Sequence, residues 1–469
     1  MPSAKLITSK KINVLGVLRI AFSVILITYC LPAFPQDNSP YSRYGLGDMV
    51  PSTNVNGRGM GSISAGYNDM LSINFNNPAS YGSFQTLKEQ TAKKIAKGRA
   101  ILDIGLNFES RTLREPNSTE KFSASNALFS HVQVGIPLRP NLGLSFGLRP
   151  INRVSYKINR IGTGIDPDSG HPVDTLTLNE GDGGSYLASI GIGHKIALNK
   201  TKTRSISYGI NGGYLFGKQD YSTRISIFDS ALAYTSGNFQ TKTTYGNIYF
   251  NGGIQYETFF KQGYRLTLGV HGNWKQQLNG SRDIIRETYF FDETSGNIRI
   301  DSVLDQKSIH GKVTYPGSYT AGFVFEKFVK AKEAGWLIGI DYVQNKWSDY
   351  RIYGQTDPAV RDKWEIRAGA QLTPVPKANY FSNVAYRVGA FFGPDYIHVN
   401  KKLPVFGASF GMGLPIRNYN RQNEQYTLIN LAFEFIKRGN NDNVLKENLF
   451  RVSAGFSLSD LWFTKRRYD

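Results

Sequence analysis

The chain has 469 residues, of which 13% are aromatic, 48 are glycine and only 40% are hydrophobic, and its mean hydropathy is negative. A helical membrane span needs about 20 consecutive apolar residues, and the only long apolar run lies at the extreme N-terminus, which disfavours a helical membrane protein but not a barrel that hides its apolar content by alternation. The formal charge of +19 is scattered, apart from clusters at 88–99 and 465–467, which argues for solvated loops and lipid headgroups and against a nucleic-acid footprint.

In chain order, Lys5, Lys10, Lys11 and Arg19 precede the apolar stretch Ile20 to Leu31, and polar Gln36-Asp37-Asn38 follows. This reads as a signal peptide over 1–35, with cleavage left open between Phe34 and Asp37. Cys30 offers a lipoprotein anchor as an alternative, but Tyr29 stands where such a signal needs a small residue. Removing those four cations leaves 51 Lys+Arg against 36 Asp+Glu, a net charge of +15, and removing Cys30 leaves no cysteine for a disulfide or thiolate metal site.

Residues 36–100 lack alternation and are dense in turn formers: Tyr41-Ser-Arg-Tyr-Gly-Leu-Gly47, Asn56-Gly-Arg-Gly-Met-Gly61 and Asn76-Asn-Pro-Ala-Ser80. Tyr41, Tyr44, Met60, Tyr67, Ile73, Phe75 and Tyr81 give the stretch more apolar content than a free tail carries. It is expected to fold into the barrel lumen as a plug, with Gly57, Gly59 and Gly61 letting backbone pass close to the wall.

From residue 101 to 469 the two-residue rhythm of a membrane strand recurs. Leu102, Ile104, Leu106 and Phe108 alternate with Asp103, Gly105, Asn107 and Glu109. Val132 to Leu138 and Leu142 to Leu148 do the same on either side of a tight Pro140-Asn141 turn. The last segment is the cleanest, with Phe450, Val452, Ala454, Phe456 and Leu458 against Arg451, Ser453, Gly455 and Ser457. About fourteen strands are expected, the even number that single-chain bacterial barrels require. Tight turns are expected after Arg139, Leu198, Phe260 and Phe328, and long polar loops over Ile161 to Gly184 and Gly280 to Ser308. Short turns belong on the periplasmic side, which places both termini in the periplasm. The five tryptophans, 274, 336, 347, 364 and 462, fall near expected strand ends and suggest an aromatic belt. The fold class is therefore an all-β transmembrane antiparallel barrel with an N-terminal plug.

Several chemical patterns are set aside. Gly143-Leu-Ser-Phe-Gly147 and Gly407-Ala-Ser-Phe-Gly411 match a serine-hydrolase nucleophile pattern, but that chemistry needs a strand-to-helix elbow and both lie inside alternating strands. Asp166-Pro-Asp-Ser-Gly170 lacks the remaining carboxylates of a calcium loop. The six histidines have no ligand spacing, and Gly57 to Gly61 has no dinucleotide-site context. No catalytic residue, metal or cofactor is expected. Asp174-Thr-Leu, Asp229-Ser-Ala and Asp301-Ser-Val resemble a Bacteroidetes O-glycosylation sequon.

The runs Arg58-Gly-Met-Gly61 and Ile73-Asn-Phe-Asn-Asn-Pro-Ala79, with Asp69 between them, resemble the hatch of the FadL/TodX outer-membrane transport family, in the divergent form found in Bacteroidetes. The ending from Phe456 to Asp469 resembles the C-terminal strand of the same relatives. The resemblance implies a fourteen-strand barrel, a hatch built from Arg58, Gly59, Met60, Gly61, Asn77, Pro78 and Ala79, and passive inward movement of hydrophobic small molecules. It also implies a lateral exit at a kinked third strand, where this chain has Pro150, although a proline at the lipid interface is the plainer reading. Tyr44, Met60 and Phe75 are candidates to line the ligand path. Expected partners are outer-membrane lipid and lipopolysaccharide and a hydrophobic ligand, with no nucleic acid. The alternative function is a non-transporting subunit of a larger outer-membrane secretion or barrel-assembly complex, in contact with other outer-membrane proteins.

Overall fold

The computed structural model describes residues 39–88, 95–116, 118–165, 170–228, 235–292, 294, 296–416 and 426–462; the signal-peptide reading of 1–35 lies outside them. Fourteen antiparallel strands close into one barrel. They are β1 (Ile95–Arg114), β2 (Phe122–Arg139), β3 (Leu142–Ile165), β4 (Pro172–Ala197), β5 (Arg204–Phe228) and β6 (Ser236–Phe260). Next come β7 (Tyr264–Asn273, continuing as Gln276–Asp292) and β8 (Gly296–Tyr315, continuing as Ser318–Lys327). The ring is completed by β9 (Gly335–Asn345), β10 (Lys363–Thr373), β11 (Ala385–Val399), β12 (Lys401–Ile416), β13 (Tyr426–Arg438) and β14 (Lys446–Trp462). Closure is made by β14 against β1, in register from Lys446↔Arg114 to Trp462↔Gly98.

Alternation sets the faces, and their polarity is inverted relative to a soluble protein. On β14, Phe450 and Phe456 are exposed while Arg451, Ser453 and Ser457 are buried. On β1, Leu106 and Phe108 are exposed while Asp103, Asn107 and Glu109 are buried. An apolar outer band around a polar interior is stable only where the outer surroundings are themselves apolar.

Two expected loops are instead strand. Residues 161–165 and 172–184 belong to β3 and β4, paired from Ile165↔Pro172 onward. Residues 280–292 and 296–308 pair as most of the contact between β7 and β8. The misreading has a physical cause: these stretches stand beyond the lipid, so neither face has to be apolar. They are held by backbone pairing and surface ion pairs, such as Glu180 with Lys157 at 3.2 Å and Arg224 at 3.3 Å. Strands β3 to β8 thus project well past the others on one side of the barrel. Asp174 and Asp301 lie in these strands and not in loops, and Asp229 lies outside the described residues.

Residues 39–84 run inside the ring, buried along most of their length. The described inner segment starts at the loop end, where the Ser39 amide donates to the Ser155 carbonyl at 3.3 Å, and descends toward the turn end ahead of β1. The last described residue, Trp462, lies at the turn end; the termini themselves lie outside the described residues. Lumen-facing glycines make room for the descending backbone. A Cβ on Gly369 would stand 2.2 Å from the Met60 carbonyl oxygen, and one on Gly389 would stand 2.0 Å from the Gly61 nitrogen.

The tryptophans divide. Trp274 and Trp364 are exposed on the outer wall, and Trp336 lies near the turn end of β9 against Tyr264 and Phe325. Trp347 is not a belt residue: it is 3% exposed and stacks on Tyr396 with ring centroids 3.9 Å apart. It sits in an aromatic cluster at the loop end of the lumen. The Trp462 side chain lies outside what is described.

Candidate functional site: a slot in the barrel wall

Proline has no N–H to give to a ladder. The pairing of β2 with β3 runs from Arg139↔Leu142 to Val132↔Leu148 and stops there. Two residues on is Pro150, and between Pro150 and Asn152 the pairing of β3 with β4 shifts by a bulge. Beyond this point the edge of β3 that faced β2 pairs with the inner segment, Met49↔Asn152 and Asp48↔Arg153. The Val50 amide adds a bond to the Ile151 carbonyl at 3.0 Å. Gly47 permits the approach: its φ is +98°, and a Cβ there would stand 2.5 Å from the Arg153 carbonyl oxygen.

The upper half of β2 therefore has no strand partner on its slot side among the described residues. A cleft of about 980 Å³ fills the space between β2 and β3. Its outer rim carries exposed Phe108, Tyr186 and Phe450, and its inner side carries Glu109, Asn126 and Arg153. A second cavity, of about 290 Å³, lies in the lumen and is lined by charged residues, among them Arg111, Arg149, Glu434, Arg438, Glu447 and Arg451. Val50 and Pro150 line both, so the two spaces adjoin at Pro150.

A buried ion network fastens the inner segment beside the slot. Asp48 bridges Arg111 of β1 at 2.8 Å and Arg438 of β13 at 2.7 Å. Glu447 of β14 joins the same two arginines at 2.7 and 3.2 Å, and Asp395 of β11 joins Arg438 at 2.9 Å. Ser39 donates to Glu447. Burial alone would raise the Asp48 carboxyl, but the two guanidinium groups outweigh it and hold the group below the usual carboxylate range. Sequence reading missed these four charged partners, because alternation puts each in the lumen without saying that strands so far apart in sequence meet there.

The hatch-motif residues all lie in the inner segment, but they do not converge on one point. Arg58 ends a four-residue helix, Val55–Arg58, whose N-cap Asn54 accepts from the Gly57 amide at 2.9 Å. Its guanidinium is fully buried and donates to Asn107 of β1, to Ser130 of β2 at 2.6 Å and to Ser453 of β14 at 3.2 Å. Gly59 lies against Gly411, and the Gly61 amide donates to Ser409 at 2.9 Å. Met60 packs with Ile63, Tyr67, Val324 and Leu337. Nearer the turn end, Asn77 donates to the Ala65 carbonyl at 2.8 Å, the Pro78 carbonyl fits against Gly193 and Gly209, and Ala79 is fully buried.

Neither cavity is lined by Tyr44, Met60 or Phe75. Tyr44 packs against the loop-end aromatic cluster, and Phe75 lies 5.2 Å from the His131 ring with Arg149 5.0 Å over its face.

These features define a class: a fourteen-strand β-barrel with the apolar outer face of a membrane-spanning protein, whose wall is interrupted beside Pro150. The BamG family model matches residues 17–469, so the chain belongs to the BamG family. Among solved structures the fold is similar to a Pseudomonas aeruginosa FadL homologue, with 14% identity over 89% of this chain and 100% of that one and a TM-score of 0.48. It is also similar to the Pseudomonas putida toluene transporter TodX, with 12% identity over 89% and 99% and a TM-score of 0.48. The Ralstonia pickettii toluene transporter TbuX matches at 12% identity over 88% and 98%, with a TM-score of 0.43. No curated protein matches by sequence.

Proposed function

We propose that the barrel gives hydrophobic or amphipathic small molecules a passive path between lumen and membrane through the slot beside Pro150, with the inner segment as its hatch. The observation that carries this reading is the slot itself, aromatic at its lipid rim and charged within. A water-filled pore needs no break in its wall, whereas an amphipathic solute leaving for the bilayer does. The short turns after β2, β4 and β6 support a periplasmic turn end, by the usual short-turn, long-loop asymmetry of single-chain barrels. The test is uptake of a chain-length series by cells bearing the native barrel or one with Ser42→Cys and Ser155→Cys. These two serines already bond to one another's segments, the Ser155 amide donating to Ser42 at 3.2 Å. Uptake that falls when the pair is oxidised and returns on reduction supports the hatch; unchanged uptake removes it.

A second reading, a fixed subunit of a larger outer-membrane secretion or barrel-assembly complex, is favoured by a different observation. The inner segment is tied by the two buried ion pairs of Asp48, and β3 to β8 project as a broad sheet that transport does not require. Size determination after gentle extraction separates the two, since a lone transporter runs as a monomer.

A further inference from the structure

On the outer wall, two neighbouring rows of side chains cross from β3 to β8. The lower row is Leu142↔His194↔Tyr208↔Ile254↔Val270. The upper row is Leu144↔Ile192↔Ile210↔Gly252↔Gly272↔Tyr319. Two glycines side by side in the upper row leave a trench between Ile210 and Tyr319. The groove that results has a volume of about 880 Å³, begins at Arg139 and Pro140 in the turn after β2 and ends at exposed Trp274. Five strand spacings of about 4.8 Å make it roughly 24 Å long, the reach of one extended acyl chain.

The turn-end mouth of this groove is cationic. Arg139 is exposed there, and the next two turns, 198–204 and 260–264, carry exposed Lys200, Lys202, Arg204 and Lys261 with no acidic residue among them. Exposed Leu198 and Phe260 stand beside these cations, an apolar anchor next to a charge that reaches the headgroups. His194 is oriented by the Tyr208 hydroxyl at 3.1 Å.

We propose that this groove is a binding site for one phospholipid with an anionic headgroup, the head at Arg139 and an acyl chain laid over Gly252 and Gly272 toward Trp274. The site rests on the chain spanning a bilayer. It is independent of the slot, which lies beyond Leu148 on the opposite edge of β3.

The test uses the full mature chain, purified in detergent with equal phosphatidylglycerol and phosphatidylcholine, and counts retained lipids by native mass spectrometry. Retention of the anionic lipid well above the zwitterionic one is expected, falling about fivefold in Arg139→Gln, the share of one well-placed cation, and weakening at raised salt. Chain placement is read by quenching with brominated acyl chains, taken as the part of the signal absent from Trp274→Phe. Gly252→Leu fills the trench without disturbing the wall, because a Cβ there meets only the Gly209 carbonyl oxygen at 3.5 Å; it should remove that quenching. Equal retention of the two lipids by the native chain, or quenching that survives Gly252→Leu, overturns the site. A chain that fails to insert into vesicles overturns this inference and the membrane reading together.

Discussion

The charge count around Asp48 makes a prediction that separates two variants of the same network. Three carboxylates, Asp48, Asp395 and Glu447, share two guanidinium groups, Arg111 and Arg438. Asp48→Asn leaves two acids with two bases, so no charge is orphaned. It loses the charge-assisted character of two hydrogen bonds, about 1.5–3 kcal/mol. Arg438→Gln leaves three buried acids with one base, and stranding carboxylates in this way costs about 3–5 kcal/mol. The smaller chemical change at the inner segment should therefore loosen it less than a substitution on the wall. The assay replaces Cys30 and places a single thiol at Ser42→Cys, buried in the inner segment, then measures its labelling rate in detergent. Labelling should accelerate about 10- to 150-fold in Asp48→Asn and by roughly two to three and a half orders of magnitude in Arg438→Gln. An Asp48→Asn effect equal to or larger than that of Arg438→Gln would refute the charge accounting.

Three further outcomes follow from the same geometry. The network lies at the loop end, beyond the outer apolar band that stops near Phe108 and Phe450, and Asp48 is held below the usual carboxylate range. Its contribution is thus present above about pH 4 and lost as pH falls through the lower folded value. Trp347, stacked on the Tyr396 ring whose hydroxyl bonds to the Gly47 carbonyl, should report a melting temperature that is flat from neutral to mildly acidic pH and then falls. A fall already complete near pH 6 would contradict this. Gly369→Ala and Gly389→Ala should each cost about 1–3 kcal/mol through overpacking and expose the inner segment to protease while the barrel keeps its β circular dichroism; native-like protection would show that the segment is not seated on these glycines. Hydrogen exchange on β2 should show slow amides through 132–136 and fast exchange for the slot-facing amides of 124–130, and uniform protection along β2 would mean that the slot is closed.

How much of this was legible in the sequence depends on whether a residue's neighbours are set by its own strand or by another. The inverted faces of β1, β2, β3 and β14 were readable because alternation is local: Leu106 and Phe108 face out whatever stands beside them. Pro150 was readable as a weak point for the same reason, since a missing N–H is a property of the residue. What replaces the lost ladder was not readable, because Asp48 and Met49 reach β3 only by running through the lumen, and no pattern in 36–100 encodes that register. The projecting strands were missed because a sheet with water on both faces has no apolar rhythm to read. Tyr44, Met60 and Phe75 stand out as apolar residues in a polar stretch, a property that suits a ligand path and a packed interface equally. Met60 and Phe75 are buried and Tyr44 half-buried where the inner segment meets the wall. Any path for a solute then has to run past the charged lumen cavity to the slot, which favours molecules with a polar head over pure hydrocarbons.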